Sequence, residues 1–280
     1  MKWKSFIIDL VPPLLLRALR PSRPERAVSA VAVHDVVGGP LKGRRIRVDA
    51  GRPAFREMVE GTYDAYIWKS IPGQLPPGLI LDIGAHIGYH SMAFAALYPD
   101  CEVVAFEPNP ANLDRLQGML DLEPDLAGRT HVLAIALSDS AGEMEFQASA
   151  NVDDQTSSGG YLGVVKPPLD AAVYERAGFT ASRVRCERLD DLVERHGWRN
   201  VHLIKIDVEG AEALVLQGAL GLLQRDHPRL LIEIHSAVRM MEVMKLLQPM
   251  GYIIDLLHED RPGRCFIQAV HADGRPMATA

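Results

Sequence analysis

The sequence predicts an α/β fold: a mostly parallel sheet, covered by helices on both faces, that ends in an antiparallel C-terminal strand pair. Three observations predict it. From Leu79 onward, short apolar runs alternate with runs of helical period, the pattern of strands joined by crossover helices. The apolar runs are nearly continuous, as in strands buried on both faces. The last two, Tyr252–Leu257 and Cys265–Val270, are joined by a short Gly-containing turn, which suits antiparallel neighbours.

The elements follow in order. Residues 1–20 place Lys2 and Lys4 before the apolar stretch Phe6–Leu16, which Asp9 interrupts and Pro12 and Pro13 break. This stretch is shorter than the ~20 apolar residues of a membrane span, and it lacks the small-residue cleavage site of a secretory signal. Trp3, Phe6, Ile7 and Leu10 beside basic residues fit peripheral contact with a membrane surface; packing on the domain is the alternative. Residues 20–30 read as a linker. Ala30–Val33 and Arg45–Val48 fit a small hairpin around Gly38, Gly39 and Pro40. Phe55–Lys69 has helical period, with Phe55, Met58, Val59, Tyr63 and Tyr66 near one face. The alternation then runs strand Leu79–Ile83, helix His90–Leu97, strand Glu102–Phe106, helix Pro110–Leu120 and strand His131–Ala136. Glu143–Ala148 alternates apolar and polar residues and predicts an added antiparallel strand. Residues 149–182 are polar and Gly-rich with few regular signals, and Asn151–Tyr161 within them is a candidate lid or a segment without fixed structure. Helix Leu189–His196, strand Val201–Ile206, helix Ala211–Gln224, strand Leu230–Ile234 and helix Val238–Leu247 complete the series.

Composition bounds the function. Across 280 residues, 48% are hydrophobic and 24% charged, which suits a globular chain with a substantial core. The net charge of −6 argues against a general nucleic-acid binder. Residues 1–56 nevertheless hold twelve Lys/Arg against four Asp/Glu, so a basic arm precedes an acidic body. Cys101, Cys186 and Cys265 are far apart and form no CxxC pair. A disulfide framework or structural zinc site is therefore not expected, and a reducing, cytoplasmic setting is.

The first strand carries the chemistry. Open α/β sheets bind ligands beyond the carboxyl ends of their strands. Here Asp82 leads into Gly84-Ala85-His86-Ile87-Gly88 and a helix. Small residues admit a ligand close to the backbone, and helix amides favour its anionic groups. The second strand ends at Glu107, placed to accept hydrogen bonds from two ribose hydroxyls, and Pro108-Asn109 turn into the next helix. Ser138 follows the third strand, where an adenine ring would meet an apolar wall and one polar group. S-adenosylmethionine fits this set: its carboxylate suits the loop amides, and its cationic amino end suits Asp82, directly or through water. The rival is a nicotinamide cofactor, which normally wants G-x-G-x-x-G; His86 stands where the second glycine would be. Asp207, ending a later strand, adjoins the same pocket.

The run Ile204–Glu212 narrows the class. LILDIGAHIG, VVAFEPNP, LIKIDVEGAE and LLIEIH occur in that order over about residues 79–257, and in them the chain resembles the FkbM family of methyltransferases. The resemblance implies a Rossmann-like class I methyltransferase fold, S-adenosylmethionine as donor, and O-methylation, often of sugar or natural-product hydroxyls. The methyltransferase domain is expected at 71–272, after a basic extension with short strands and a helix (1–70) and before a tail (273–280). The family usually shows Asn where this chain has His86.

Asp207, Glu209, Glu233 and His235 all lie at strand ends beside the donor pocket and are the candidate catalytic residues. Methyl transfer to oxygen is an in-line displacement that needs an aligned acceptor and a route for the hydroxyl proton. His235 has a suitable ordinary pKa for a base; Asp207 is the alternative base or an acceptor ligand. No metal is predicted, although Asp207, Glu209 and Glu233 could offer oxygen ligands to Mg²⁺. Lys205 reads as a structural ion-pair partner, Glu212 as a cap or helix pair, and Trp68 and Trp198 as packing. The expected activity is transfer of a methyl group to a hydroxyl of a saccharide or related metabolite, in glycan biosynthesis. A non-enzymatic S-adenosylmethionine-binding scaffold and then an NAD-dependent dehydrogenase are the alternatives.

Overall fold

The computed structural model describes residues 31–149, 160–165, 179–261 and 264–274. The described residues open with an antiparallel hairpin, β1 (Ala32–Asp35) and β2 (Arg45–Val48). Two helices follow, α1 (Pro53–Glu60) and α2 (Ala65–Ser70). Then come β3 (Gly78–Ile83), α3 (Tyr89–Leu97), β4 (Cys101–Phe106), α4 (Pro110–Leu120), α5 (Pro124–Ala127) and β5 (Thr130–Leu133). A second group holds β6 (Ala136–Leu137), β7 (Gly142–Ser149), β8 (Tyr161–Leu162) and β9 (Phe179–Glu187). The chain returns through α6 (Leu189–His196), β10 (Val201–Ile206), α7 (Glu212–Gln217), α8 (Leu220–Asp226), β11 (Arg229–Ile234), α9 (Ala237–Leu247), β12 (Tyr252–Arg261) and β13 (Arg264–His271).

Seven strands make the main sheet, in the order β12-β13-β11-β10-β3-β4-β5. β5, β4, β3, β10 and β11 are parallel; β13 and β12 are antiparallel to their neighbours. The chain steps outward from β3 to β5, then returns to β10 on the other side of β3. That reversal between β3 and β10 is the switch point at which such sheets bind ligands. Successive strand residues face opposite sides, and the two cores show it. Ile80, Val103, Leu203 and Leu231 pack on the α3 side, while Leu81, Val104, Ile204 and Leu230 pack on the α8 side. Asp82 and Lys205, two residues on from Ile80 and Leu203, stand opposite each other in register between β3 and β10.

The hairpin and first two helices belong to the first of those cores: Val36, Ile46, Phe55, Met58 and Ile67 are buried with Ile80, Phe94 and Val103. The basic residues here meet the acidic body, with Arg44 and Arg45 both bonded to Glu123. The membrane contact expected of residues 1–20 and most of the expected lid at 151–161 lie outside the described residues. Among the described residues, no helix is long and apolar enough to cross a membrane.

Four expectations are corrected. The helix expected over Phe55–Lys69 is two helices, because Gly61 ends α1 in the left-handed conformation (φ 77°). The helix expected over Ala211–Gln224 breaks at Gly218-Ala219, where the Asp190 carboxylate bonds the first-turn amides of α8 at Gly221 (3.0 Å) and Leu222 (2.9 Å) and restarts the helix. The third strand splits: Thr130–Leu133 joins the main sheet, and Ala136–Leu137 turns off to pair with β9. The polar stretch ends in an unanticipated strand, β9, which pairs along β7 in a separate four-stranded sheet ordered β6-β9-β7-β8. Its apolar side (Phe146, Leu162, Val184, Cys186) packs around Ala211 and walls the cleft above the switch point.

Candidate active site

The cleft opens at the carboxyl ends of β3, β4 and β10 and encloses about 910 Å³, its mouth included. Its floor is the loop after β3. Gly84 is in the left-handed region (φ 78°), and a Cβ there would lie 1.9 Å from the Asp207 carbonyl oxygen, so only glycine lets β3 and β10 run so close. His86 is also left-handed (φ 52°). Asn and His are among the non-glycine residues that tolerate this region, which gives the departure from the family's Asn a backbone reason. The His86 side chain faces the cleft, and burial lowers its pKa to about 4, so it is neutral there.

Glu107 reaches into the cleft from the end of β4. One carboxylate oxygen accepts the His86 amide (2.8 Å), and the other accepts the Asn109 amide (2.9 Å) and the Asn112 side chain (3.3 Å). Three donors fix its orientation, yet burial dominates and raises its pKa to about 7. Phe106, Ile135, Ala136 and Leu137 form an apolar wall beside it, and Pro108 completes the rim.

Beneath the loop lies a buried ion pair. Lys205, 2% exposed, sits 3.3 Å from Asp82, donates to the Gly84 carbonyl (3.0 Å), and lies 3.7 Å from Asp207. Burial opposes its charge, but Asp82, Asp207 and Glu233 outweigh that and raise its pKa. Asp82 is fully buried and also accepts the Ser91 hydroxyl of α3 at 2.6 Å. Lys205 thus has the structural role expected of it and ties the loop to β10.

The second constellation surrounds Asp207. His235 lies 3.7 Å from Asp207, 3.5 Å from Glu209, 3.8 Å from Glu233 and 2.5 Å from Glu212. Arg264 on β13 donates to Glu233 at 2.5 Å and lies 3.9 Å from Glu209. Glu212 also accepts the Gly210 amide (3.1 Å), so it is both cap and histidine partner. Glu209 holds a left-handed backbone (φ 51°), a costly conformation for a glutamate and one that clusters at functional sites. Burial opposes the Asp207 charge, but Lys205, His235 and Arg264 hold its pKa below the ordinary value. Burial, and then Asp207, raise Glu233 to about 7.

The structure therefore sorts the residues expected from sequence. Gly84, His86, Glu107, Pro108, Asp207 and Glu209 line the cleft; Asp82, Gly88, Asn109 and Ser138 do not. Asp82, expected to meet the donor's amino end directly or through water, lies beneath the loop against Lys205 and Ser91. Gly88 is the N-cap of α3. Asn109 caps α4 by accepting the Ala111 amide (3.1 Å). Ser138 is buried against its own neighbours, its hydroxyl on Asp139 and its amide on the Glu187 carbonyl. Glu233 and His235 stand behind Asp207. His235 is corrected as a base: burial opposes its charge, yet hydrogen bonds to Glu209 and Glu212 raise its pKa to about 10, so it is already protonated at neutral pH. Sequence reasoning missed Tyr63, His90, Tyr161 and Arg264. Tyr63 had a weak signal, an aromatic beside the Gly61 helix stop; Arg264 had none, because its partners are distant in sequence.

The site fits S-adenosylmethionine. A buried carboxylate at the end of β4, an apolar wall and a glycine-floored loop occupy one cleft. Its lining also holds buried polar atoms with no hydrogen-bond partner among the described residues, His86 Nε2, Tyr89 Oη and Asn112 Oδ1, which suit a polar ligand.

Strand order, switch point and cleft define a class I methyltransferase. Residues 82–254 match the methyltransferase FkbM domain, and the chain belongs to that family. It is 29% identical over 214 residues to the 2-O-methyltransferase NoeI of Sinorhizobium fredii, covering 72% of this chain and 83% of that one. It is 30% identical over 172 residues to the hexuronic acid methyltransferase AglP of Haloferax volcanii, covering 60% of this chain and 61% of that one. A crystal structure of methyltransferase FkbM from Methylobacillus flagellatus aligns with TM-score 0.51 at 19% identity over 71% of this chain, which spans 45% of that one. The chain is therefore an S-adenosylmethionine-dependent methyltransferase, and the scaffold and dehydrogenase alternatives fall away.

Proposed function

We propose that this chain transfers a methyl group from S-adenosylmethionine to a hydroxyl of a saccharide or related metabolite. The observation that carries the reading is Asp207: it lines the cleft, is 30% exposed, and leads the charged cluster at the end of β10. NoeI, a 2-O-methyltransferase, supports an oxygen acceptor, and AglP, a hexuronic acid methyltransferase, supports a sugar-like one.

The donor supplies an electrophilic methyl group on a sulfonium centre. Glu107 would accept hydrogen bonds from the donor's ribose hydroxyls, and the wall from Phe106 to Leu137 would take its adenine face. Asp207, Glu233 and His235 hold their roles together. Asp207 accepts the hydrogen bond of the acceptor hydroxyl and aligns its oxygen. Asp207 and Glu233 both face His235, so the hydroxyl proton passes to this carboxylate pair, in which burial and the Asp207 charge raise the Glu233 carboxyl. His235 and Arg264 compensate the carboxylates and keep Asp207 ionised.

Mg²⁺ is a poor match to this donor set. Asp207, Glu233 and His235 bring ligand atoms within 4.8 Å of one another. One of them is a nitrogen, and Glu233 is already engaged by Arg264 at 2.5 Å, whereas Mg²⁺ wants oxygen ligands and water. We infer a metal-free transfer. The basic, amphipathic residues 1–20 suit a cytoplasmic enzyme that meets a glycan acceptor at the inner membrane face, and co-sedimentation of the full chain with anionic vesicles tests that part.

Incubation with isotopically labelled donor and a saccharide panel, read by mass spectrometry, tests the activity. One added methyl on a saccharide, unchanged by chelator, is expected. Donor turnover that never labels a hydroxyl would overturn the reading.

A further inference from the structure

The cleft continues beyond the donor-binding strand ends into a region walled by the N-terminal helices. Met58 and Tyr63 come from α1 and the turn after it, Tyr89 and His90 from α3, and Asp207 and Glu209 from the end of β10. The α1–α2 turn is firmly built. The Tyr63 carbonyl accepts the Trp68 indole N–H at 3.0 Å, and the Tyr63 ring stands edge-on to Tyr89 at 5.5 Å. Asp64, left-handed at φ 50°, accepts the Tyr66 hydroxyl at 2.8 Å and lies 3.1 Å from His90. Tyr63 is thus locked in place facing the carboxylate side of the cleft. Burial, then Asp64, Asp207 and Glu233, push its phenol well above the ordinary range, so it stays a neutral hydroxyl.

The charge of this region restricts what fits. Asp207 and Glu209 face the cleft, and Glu233 stands behind them. Among the described residues, Lys205 is paired with Asp82, and His235 and Arg264 with the carboxylates around them, while the charge of Arg115 on α4 acts on His86 at the other side of the cleft. The wall therefore offers hydrogen-bond acceptors to hydroxyl donors, and it repels a second carboxylate. Tyr63 adds an aromatic face with a polar tip.

We propose that the N-terminal helices and the end of β10 form the acceptor subsite, that it takes an uncharged polyhydroxylated ring in preference to a uronate, and that Tyr63 positions that ring. The inference rests on the saccharide reading above and goes further than it, since the relatives include a hexuronic acid methyltransferase. A ring hydroxyl next to the reacting one bonds Tyr63 Oη, while the reacting hydroxyl faces Asp207.

The test uses the full chain with S-adenosylmethionine and matched pairs of neutral hexosides and hexuronides that differ only in the carboxylate. Neutral members are expected to be favoured by at least about tenfold in kcat/KM. Tyr63→Phe keeps the ring but removes one hydrogen bond, so KM for the neutral acceptor should rise about five- to tenfold while donor Kd is unchanged. Hexuronides used as well as or better than their neutral partners overturn the inference alone, as does an unaltered acceptor KM in Tyr63→Phe. If neither member of any pair is methylated, the saccharide reading fails and this inference with it.

Discussion

Replacing Lys205 with Met removes the ammonium that binds three groups from two adjacent strands: the Asp82 carboxylate at 3.3 Å, the Gly84 carbonyl at 3.0 Å and Asp207 at 3.7 Å. Asp82, 0% exposed, is then left with the Ser91 hydroxyl and no compensating charge. Removing one partner of a buried pair typically costs ~3–5 kcal/mol, a large share of the ~5–15 kcal/mol that holds a domain together. Urea unfolding at neutral pH should show that loss for K205M, and donor affinity should fall because the Gly84 loop is no longer tied to β10. The double variant D82N/K205M removes both charges and keeps the Ser91 hydrogen bond. It should recover stability to within about 1–2 kcal/mol of the wild type. A K205M chain within about 1 kcal/mol of wild type, with donor affinity intact, would show that this pair is not what holds the loop.

Three further outcomes follow from the same geometry. Gly84→Ala puts a Cβ 1.9 Å from the Asp207 carbonyl at a left-handed position, so it should cost about 1–3 kcal/mol of stability in denaturation and weaken donor binding by calorimetry. Glu107 titrates at about 7 in the free protein. In the proposed donor complex, only its ionised form could accept from both ribose hydroxyls without giving up an oxygen to its own proton. Donor affinity should therefore climb with pH up to about that value and fall roughly tenfold per unit below it; Glu107→Gln should bind weakly and lose the pH dependence. His235 is raised from 6.5 to about 10. The folded chain keeps a proton that the unfolded chain gives up, so its contribution is full below 6.5 and drains away as pH rises toward 10, by at most about 1.4 kcal/mol per unit. His235→Gln should flatten that alkaline slope in thermal melts.

The sheet was legible because its central strands are buried on both faces and so read as continuous apolar runs bounded by turns. β9 was not: among its side chains described as buried, only Val184 and Cys186 are apolar, too few for alternation to stand out. The helix breaks depend on long-range partners, as with Asp190 capping α8. In the site, the positions of Glu107 and Asp207 followed from their places at strand ends. What each neighbour does there could not be read from order alone. Asp82 precedes the glycine loop in sequence, but the parity of β3 turns it inward onto Ser91 and Lys205. Asn109 and Ser138 also follow strand ends, yet their side chains serve a helix cap and a buried turn. His235 looked like a base because its charge depends on carboxylates from three other positions, Glu209, Glu212 and Asp207, which only the fold assembles.

Single-turnover methyl transfer by Asp207→Asn tests the account most directly, because Asp207 lines the cleft and the proposed function puts the acceptor hydroxyl and its proton there. The substitution keeps the shape of the side chain and removes its charge. Donor Kd should stay near the wild-type value while the rate of transfer to the saccharide hydroxyl falls by about 100-fold or more. Transfer at the wild-type rate in Asp207→Asn would contradict the account.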